Sequence, residues 1–218
     1  MFNFRIIFFL FISILLLSCS HSPMHAGYLP ANNVSDGSAG LIKFKPRYGR
    51  ALYQTSVDVV GNHLSGLLLI KKMPDSSTRI VFTNEMGVGY FDFEFSKDGK
   101  FRVYSIMKKM NKKAVKKTLR KDFELVLMNR IGKLQPEMKY HNGELIHIFK
   151  AEKGYNYYIT DSLQTRLIRM ERASPKKVVV NAWMQNYQNG IPDSIGISHT
   201  GFQFNIGLKR IINEETAE

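Results

Sequence analysis

From Ala51 onward, apolar and polar residues alternate in short runs separated by turn signals, the pattern of antiparallel strands. "ALYQTSVDVV" stops at "GNH", "LSGLLLIKKM" stops at "PDSS", and "TRIVFTNE", "VGYFDFEFS" and "FRVYSIM" come next. These five runs predict a meander. Its fourth strand carries the clearest alternation. Phe91, Phe93 and Phe95 should face one side and Tyr90, Asp92 and Glu94 the other, because successive strand side chains point to opposite faces. A hairpin turn at Asp98-Gly99 should pair this strand with the one from Phe101, placing Val103 and Ser105 on the face of Phe101.

The period then changes. In "NKKAVKKTLRKDFELVL", Val115, Leu119, Phe123, Val126 and Leu127 form a helical stripe, and Asn111 is positioned as an N-cap. Lys112, Lys113, Lys116, Lys117, Arg120 and Lys121 occupy the rest of that helix. Lysines in the first turns oppose the helix dipole, so the helix must be held by packing its apolar stripe. "MNRIGKLQPEMKYHNG" reads as irregular. Further strand patterns occur in "ELIHIFK", "YNYYIT", "QTRLIRMER", "KKVVVNAW", "SIGIS" and "FQFNIGLKRI". The whole predicts a mainly β domain with a covering helix, over residues 50–213.

The N-terminal pattern differs again. "MFNFRIIFFLFISILLLSCS" has one charge, Arg5, before an apolar run from Ile6 to Leu17. A bilayer span needs about 20 such residues, so the run is short for a transmembrane helix and matches a secretory signal peptide over residues 1–18. Residues 19–49, including "SHSPMHAGYLPANNVSDGSAG", show no apolar periodicity and read as a flexible tether without a helix.

Composition narrows the function. Cys19 is the only cysteine, so the domain must stand on its core alone. The 31 Lys and Arg against 18 Asp and Glu give a net charge of +13. Such a balance often marks nucleic-acid binding. An export signal argues against that, and the basic helix lacks interleaved aromatic stacking positions. Anionic lipid surfaces are the remaining counterpart, alongside a plain solvated basic face.

Candidate chemistry is sparse. His21, His25, His63, His141, His147 and His199 are scattered without metal-ligand spacing, and His147 sits in the apolar run "LIHIF" as a core residue would. No nucleophile elbow or phosphate loop is present. Asp92 and Glu94 read as a solvated strand face. No catalytic residue, metal or cofactor is expected. An envelope hydrolase would need a pocket gathering His141, His147 and a carboxylate.

Two stretches resemble known families. Leu16-Leu17-Ser18-Cys19 resembles the bacterial lipobox, which implies cleavage before Cys19 and lipidation of that residue. Each CH₂ buried in a bilayer contributes about 0.8 kcal/mol, and the two or three acyl chains of a lipoprotein anchor stably where one does not. Ser20, rather than Asp, after the cysteine implies the outer membrane by analogy with such lipoproteins, and the lack of an acidic cluster in "SHSPMHAG" points to the periplasmic side. In "FTNEMGVGYFDFEF", Thr83, Asn84, Met86 and Gly87 match the strand-joining loop of LolB-like lipoprotein receptors, with Glu85 in place of a proline. The arrangement over Leu52 to Ile211, with Pro192 ahead of short alternating strands, is similar to the LolA/LolB superfamily. That resemblance implies a single antiparallel curved sheet forming an open half-barrel, with helices covering its concave side.

The resemblance also implies a carrier. Ile80, Phe82, Phe91, Phe93 and Phe101 would line a lipid-binding cavity, and Met86 would contact the membrane. The expected partners are membrane lipid, acylated lipoproteins and a periplasmic carrier protein, with no nucleic acid. The same phenylalanines could simply fill a core, and Met86 could fold back onto the sheet. The alternative function is a structural or scaffolding envelope lipoprotein that binds a protein partner.

Overall fold

A computed structural model describes residues 28–31 and 37–212. The expected signal peptide and Cys19 lie outside the described residues. In chain order the strands are β1 (Leu29–Pro30), β2 (Arg50–Val59), β3 (Asn62–Lys72), β4 (Thr78–Thr83), β5 (Gly89–Phe95), β6 (Phe101–Ile106), β7 (Glu137–His141), β8 (Glu144–Lys150), β9 (Tyr155–Asp161), β10 (Leu167–Ala173), β11 (Val178–Gln188), β12 (Ile191–His199) and β13 (Phe204–Arg210). Helix α1 (Ala39–Ile42) precedes β2, and α2 (Lys113–Val126) lies between β6 and β7, after a 3₁₀ turn at Lys108–Met110.

All the strands join one antiparallel sheet in the order β1-β7-β8-β9-β10-β11-β12-β13-β2-β3-β4-β5-β6. Two meanders, β2–β6 and β7–β13, are therefore fused where β13 pairs with β2, Ile206 opposite Val57 and Leu208 opposite Thr55. The expected five-strand meander and the mainly β, open-sheet class are what the structure shows. Strand β7 falls inside the segment read as irregular, and its side chains beyond Glu137 are all only half-buried, so they carry no clean alternation.

Helix α2 shows how strongly the sheet curves. Phe123 of α2 meets Phe91 of β5 edge-on, with centroids 5.8 Å apart. One residue earlier, Asp122 accepts a hydrogen bond from Arg172 Nη1 of β10 at 2.9 Å and pairs with His199 Nε2 of β12 at 2.9 Å. Strands β5 and β10 are seven steps apart in the sheet. Laid flat at about 4.8 Å per step they would be about 34 Å apart, well beyond a helix about 10–12 Å across. The sheet therefore wraps around α2.

The concave face explains the alternation. Tyr53 and Val57 of β2, Leu68 and Ile70 of β3, Val180 and Ala182 of β11, Ile195 and Ile197 of β12 and Phe204, Ile206 and Leu208 of β13 share one buried core with Leu119, Phe123 and Val126 of α2. A smaller cluster of Ile146, Ile148, Tyr157 and Ile159 occupies the opposite face of β8 and β9. Within the stretch read as a helix-free tether, Leu41 of α1 is fully buried in the main core and Tyr48 packs there too. Ordered packing thus begins before β2. One buried leucine on a single turn is too short a signal for helical periodicity.

Three local expectations need correcting. The N-cap of α2 is Lys112, with no side-chain cap, while Asn111 instead accepts a hydrogen bond from Lys116 Nζ at 2.9 Å. Along β5, Phe82 pairs with Phe91 but Thr83 pairs with Gly89, so Tyr90 is an extra residue in a bulge. That bulge turns Tyr90 to the concave side, where its ring lies 4.6 Å from that of Phe82. A second bulge pairs Phe93 with Val103 but Asp92 with Ser105, which moves Ser105 to the outer face, away from Phe101 and Val103. On that outer face Arg79 donates to both oxygens of Asp92 at 2.8 and 2.7 Å, and Glu94 accepts from Arg102 Nη1 and Tyr104 Oη at 3.1 Å. The two carboxylates are thus held in cross-strand networks.

Asp122 is the polar pin of this wrapped arrangement. It is completely buried, and Arg172 is only 11% exposed at its side chain. Removing one partner of a buried pair strands the other charge and costs about 3–5 kcal/mol. The Asp122→Ala substitution is expected to lower the unfolding free energy by about that amount in chemical denaturation followed by circular dichroism. An unchanged midpoint would contradict the role given to this residue.

Candidate functional site

Helix α2 does not fill the hollow of the sheet. Between its first turns and strands β2–β5 lies a cavity of about 430 Å³, in the range of about 300–1,000 Å³ found for small-ligand pockets. Val57 and Val59 of β2, Leu64 and Leu68 of β3, Phe82 of β4, Tyr90 and Phe91 of β5, and Phe204 and Ile206 of β13 form one wall. Val115, Leu119 and Phe123 of α2 form the other, with Met107 and Met110 from the turn before it. The buried polar residue in the wall, Thr55, donates to the Tyr53 carbonyl at 3.3 Å. Lys109 and Lys112 are the charges on the lining. Such a wall can hold hydrocarbon. It offers no nucleophile paired with a base.

The expected lipid-binding residues separate. Phe82 and Phe91 line the cavity, their centroids 5.6 Å apart. Ile80 and Phe93 are fully buried one step deeper and fill the core. Phe93 stacks on Phe91 at 4.3 Å and meets Phe101 edge-on at 5.0 Å. Phe101 borders a separate groove on the other side of α2. Sequence reading missed Val57, Leu64, Phe204, Ile206, Val115 and the two methionines. The alternation of Phe204, Ile206 and Leu208 marks an inward face, but nothing local says that this face meets β2.

The mouth of the cavity is set by strand direction. The β2–β3 turn, the β4–β5 turn, the β12–β13 turn and the start of the 3₁₀ segment all fall at one end of the sheet. Val60 N–H donates to the Gln203 carbonyl at 3.0 Å, joining two of these turns, and Met107 N–H donates to the Tyr90 carbonyl at 2.8 Å. Exposed apolar side chains gather here: Val60, Val88, Phe202 and above all Met86, 90% exposed. Met86 is thus presented outward rather than folded back.

The loop holding Met86 is built by Asn84 and two glycines. Asn84 Oδ1 accepts from Val88 N–H at 2.7 Å, and its carbonyl accepts from Gly87 N–H at 3.1 Å. Gly87 has φ +84°, a conformation costly for other residues. At Gly66 of β3 a Cβ would come within 1.9 Å of the Thr83 carbonyl oxygen, so its absence lets the loop lie close against the sheet.

The histidines do not form a site. His141 pairs with Glu144 and His147 with Met138, three residues from His141 along β7, so the two rings lie on opposite faces. His141 stacks on Tyr28 at 4.1 Å. Among the described residues no group of three or more His, Cys, Asp or Glu is arranged to hold a metal ion. No helix among them is long and apolar enough to cross a membrane.

The curved single sheet with its inner helix has counterparts among known structures. A LolA superfamily protein from Nitrosomonas europaea superposes with a TM-score of 0.53 at 8% identity, over 81% of this chain and 92% of that one. This chain has the LolA-type fold. An outer-membrane lipoprotein-sorting protein domain from Vibrio parahaemolyticus gives 0.44 at 8% identity, over 84% and 93% of the two chains. No protein-family model matches the chain, and no curated protein does. The LolA-type half-barrel implied by the resemblance over Leu52 to Ile211 is the fold observed, with its only long described helix inside the hollow.

His147 generates a pH test. It is completely buried and neither ring nitrogen has a hydrogen-bond partner. Burial lowers its pKa to about 4, the larger of two influences, with the nearby Gly37 backbone acting in the opposite direction. The unfolded chain takes up this proton near pH 6.5 and the folded chain only near 4, so the unfolded state binds more protons between them. The contribution is fully present above pH 6.5 and is lost as the pH falls through that window, at about 1.4 kcal/mol per pH unit. Denaturation of the wild type and His147→Leu at several pH values should show the difference between them changing with that slope. A constant difference would contradict the buried, neutral histidine.

Proposed function

We propose that the protein is a lipid-anchored carrier or acceptor of acylated lipoproteins at the periplasmic side of the outer membrane, and that its cavity receives acyl chains. The observation that carries this reading is the open apolar space between α2 and β2–β5, walled by Phe82, Phe91, Val115 and Leu119. An acyl chain in water loses about 0.8 kcal/mol per CH₂ relative to burial, a cost that a carrier must offset. A filled core would leave no room for that.

The mouth supports the same reading. Met86 stands on a tight turn, exposed, with Val60, Val88 and Phe202 at the same end. Resting these side chains in the bilayer would bring the cavity to the lipid, and Lys109 and Lys112 would meet the head groups. Cys19 would supply the permanent tether. The LolA superfamily likeness supports the transport class through the fold. No reaction is proposed.

The test is site-specific photo-crosslinking of the full-length chain in a diderm bacterium. A photoactivatable phenylalanine analogue at Val115 should yield adducts with acylated lipoproteins or phospholipid, identified by mass spectrometry, whereas the same residue at exposed Leu163 should not. Met86→Glu should preserve the Val115 adducts and reduce delivery of the captured lipoprotein to the outer-membrane fraction. No adduct at Val115 would overturn the carrier reading. A single discrete protein at Met86 with nothing at Val115 would favour the partner-binding scaffold.

A further inference from the structure

Helix α2 has a second face with a different chemistry. Its residues Lys113, Lys116, Lys117, Arg120, Lys121 and Glu124 line a groove of about 410 Å³. Their spacing places all six on one side of the helix. Across the groove stand Lys153 in the β8–β9 turn, Arg130 and Arg172, and Phe101 and Val103 of β6 form one flank. The groove therefore occupies the gap where the sheet fails to close.

Charge in this gap is unbalanced. Arg120 pairs with Glu124 at 2.7 Å and Arg172 with Asp122 at 2.9 Å. Lys113, Lys117, Lys121 and Lys153 make no ion pair among the described residues, and Glu152 is the other acid on the lining. Lys121 shows what this crowding costs: burial and the neighbouring Lys117 and Arg172 lower its pKa. The first turn of α2 carries no acidic residue that would complement its dipole, and lysines stand there instead. The arrangement opposes the helix dipole, and an anion placed in the groove would offset it.

A second observation points into the same groove. Asn156 of β9 is 4% exposed and lines it, and its side-chain oxygen has no hydrogen-bond partner. A buried polar atom without a partner costs about 1–3 kcal/mol unless something else satisfies it. A carboxamide beneath a ring of ammonium groups suits a ligand with both anionic oxygens and hydroxyl or protonated donors.

We infer that this groove is a binding site for a phosphate group, separate from the apolar cavity across α2. Lys117, Lys121 and Lys153 supply the charge, and Asn156 Oδ1 accepts a hydrogen bond from the P–OH of inorganic phosphate or from a head-group hydroxyl. A phosphate there could belong to a phospholipid head group or to free phosphate, and the site stands whether or not the cavity carries acyl chains.

The test measures binding of the full-length protein in neutral detergent to inorganic phosphate by calorimetry, and to phosphatidylcholine bicelles with and without phosphatidylglycerol. The combined variant Lys117→Gln, Lys121→Gln, Lys153→Gln should weaken binding about tenfold or more. Its thermal midpoint should be equal to or above that of the wild type, because like charges have been removed. The control variant Lys71→Gln, Lys97→Gln, Lys209→Gln removes the same charge from exposed sites elsewhere and should leave binding unchanged. Binding of inorganic phosphate alone assigns the site to free phosphate, and dependence on phosphatidylglycerol assigns it to a head group. Binding of neither, or an equal loss in the control variant, overturns the inference.

Discussion

The inner face of the sheet carries Tyr53, Leu68, Ile80, Phe93, Val180, Ile197 and Leu208, all buried. Each such side chain stabilises the fold by about 1.5–3 kcal/mol only if water is kept from it, so this face must be covered. The cover is small for the task. Helix α2 has 14 residues, about 21 Å of length, against a sheet that would extend far wider if flat. Curling the sheet around one helix reduces the area to be covered, and the hydrogen bonds of Asp122 to Arg172 of β10 and His199 of β12 fix the helix toward one side of the hollow. The uncovered space on the other side is the cavity.

Both candidate sites arise from that off-centre placement. Val115, Leu119 and Phe123 face strands β2–β5 across open apolar space, and the lysines of the next face look into the gap between β6 and the β8–β9 turn. One amphipathic element thus separates a hydrocarbon-compatible cavity from an electropositive groove. Leu119, Phe123 and Val126 hold the helix by packing, as its stripe predicts. The lysines around that stripe are the part that packing leaves unexplained.

The sequence showed the local patterns and not the registers. Alternation at Phe91, Phe93 and Phe95 and the stripe from Val115 to Leu127 depend on one element each, so both were legible. Alternation alone puts Tyr90 and Ser105 on the wrong face, because bulges are properties of strand pairs and a single extra residue inverts the parity beyond it. The same limit hid the cavity wall. Phe91 borders open space and Phe93 does not, although they share a face, because the position of α2 decides between them. Residues of β13 entered the site through a pairing with β2 that spans most of the domain. Leu41 and strand β7 were missed because a single buried side chain and a half-buried strand leave no periodic signal.

The central claim is that the space between α2 and strands β2–β5 accepts hydrocarbon. Full-length protein with ¹³C-labelled Val and Leu methyl groups, titrated with a spin-labelled fatty acid, tests it by paramagnetic broadening. The account predicts selective loss of the Val57, Leu64, Val115 and Leu119 methyl signals while Leu41 and Leu163 stay sharp. Uniform broadening, or none at the cavity methyls, would contradict it.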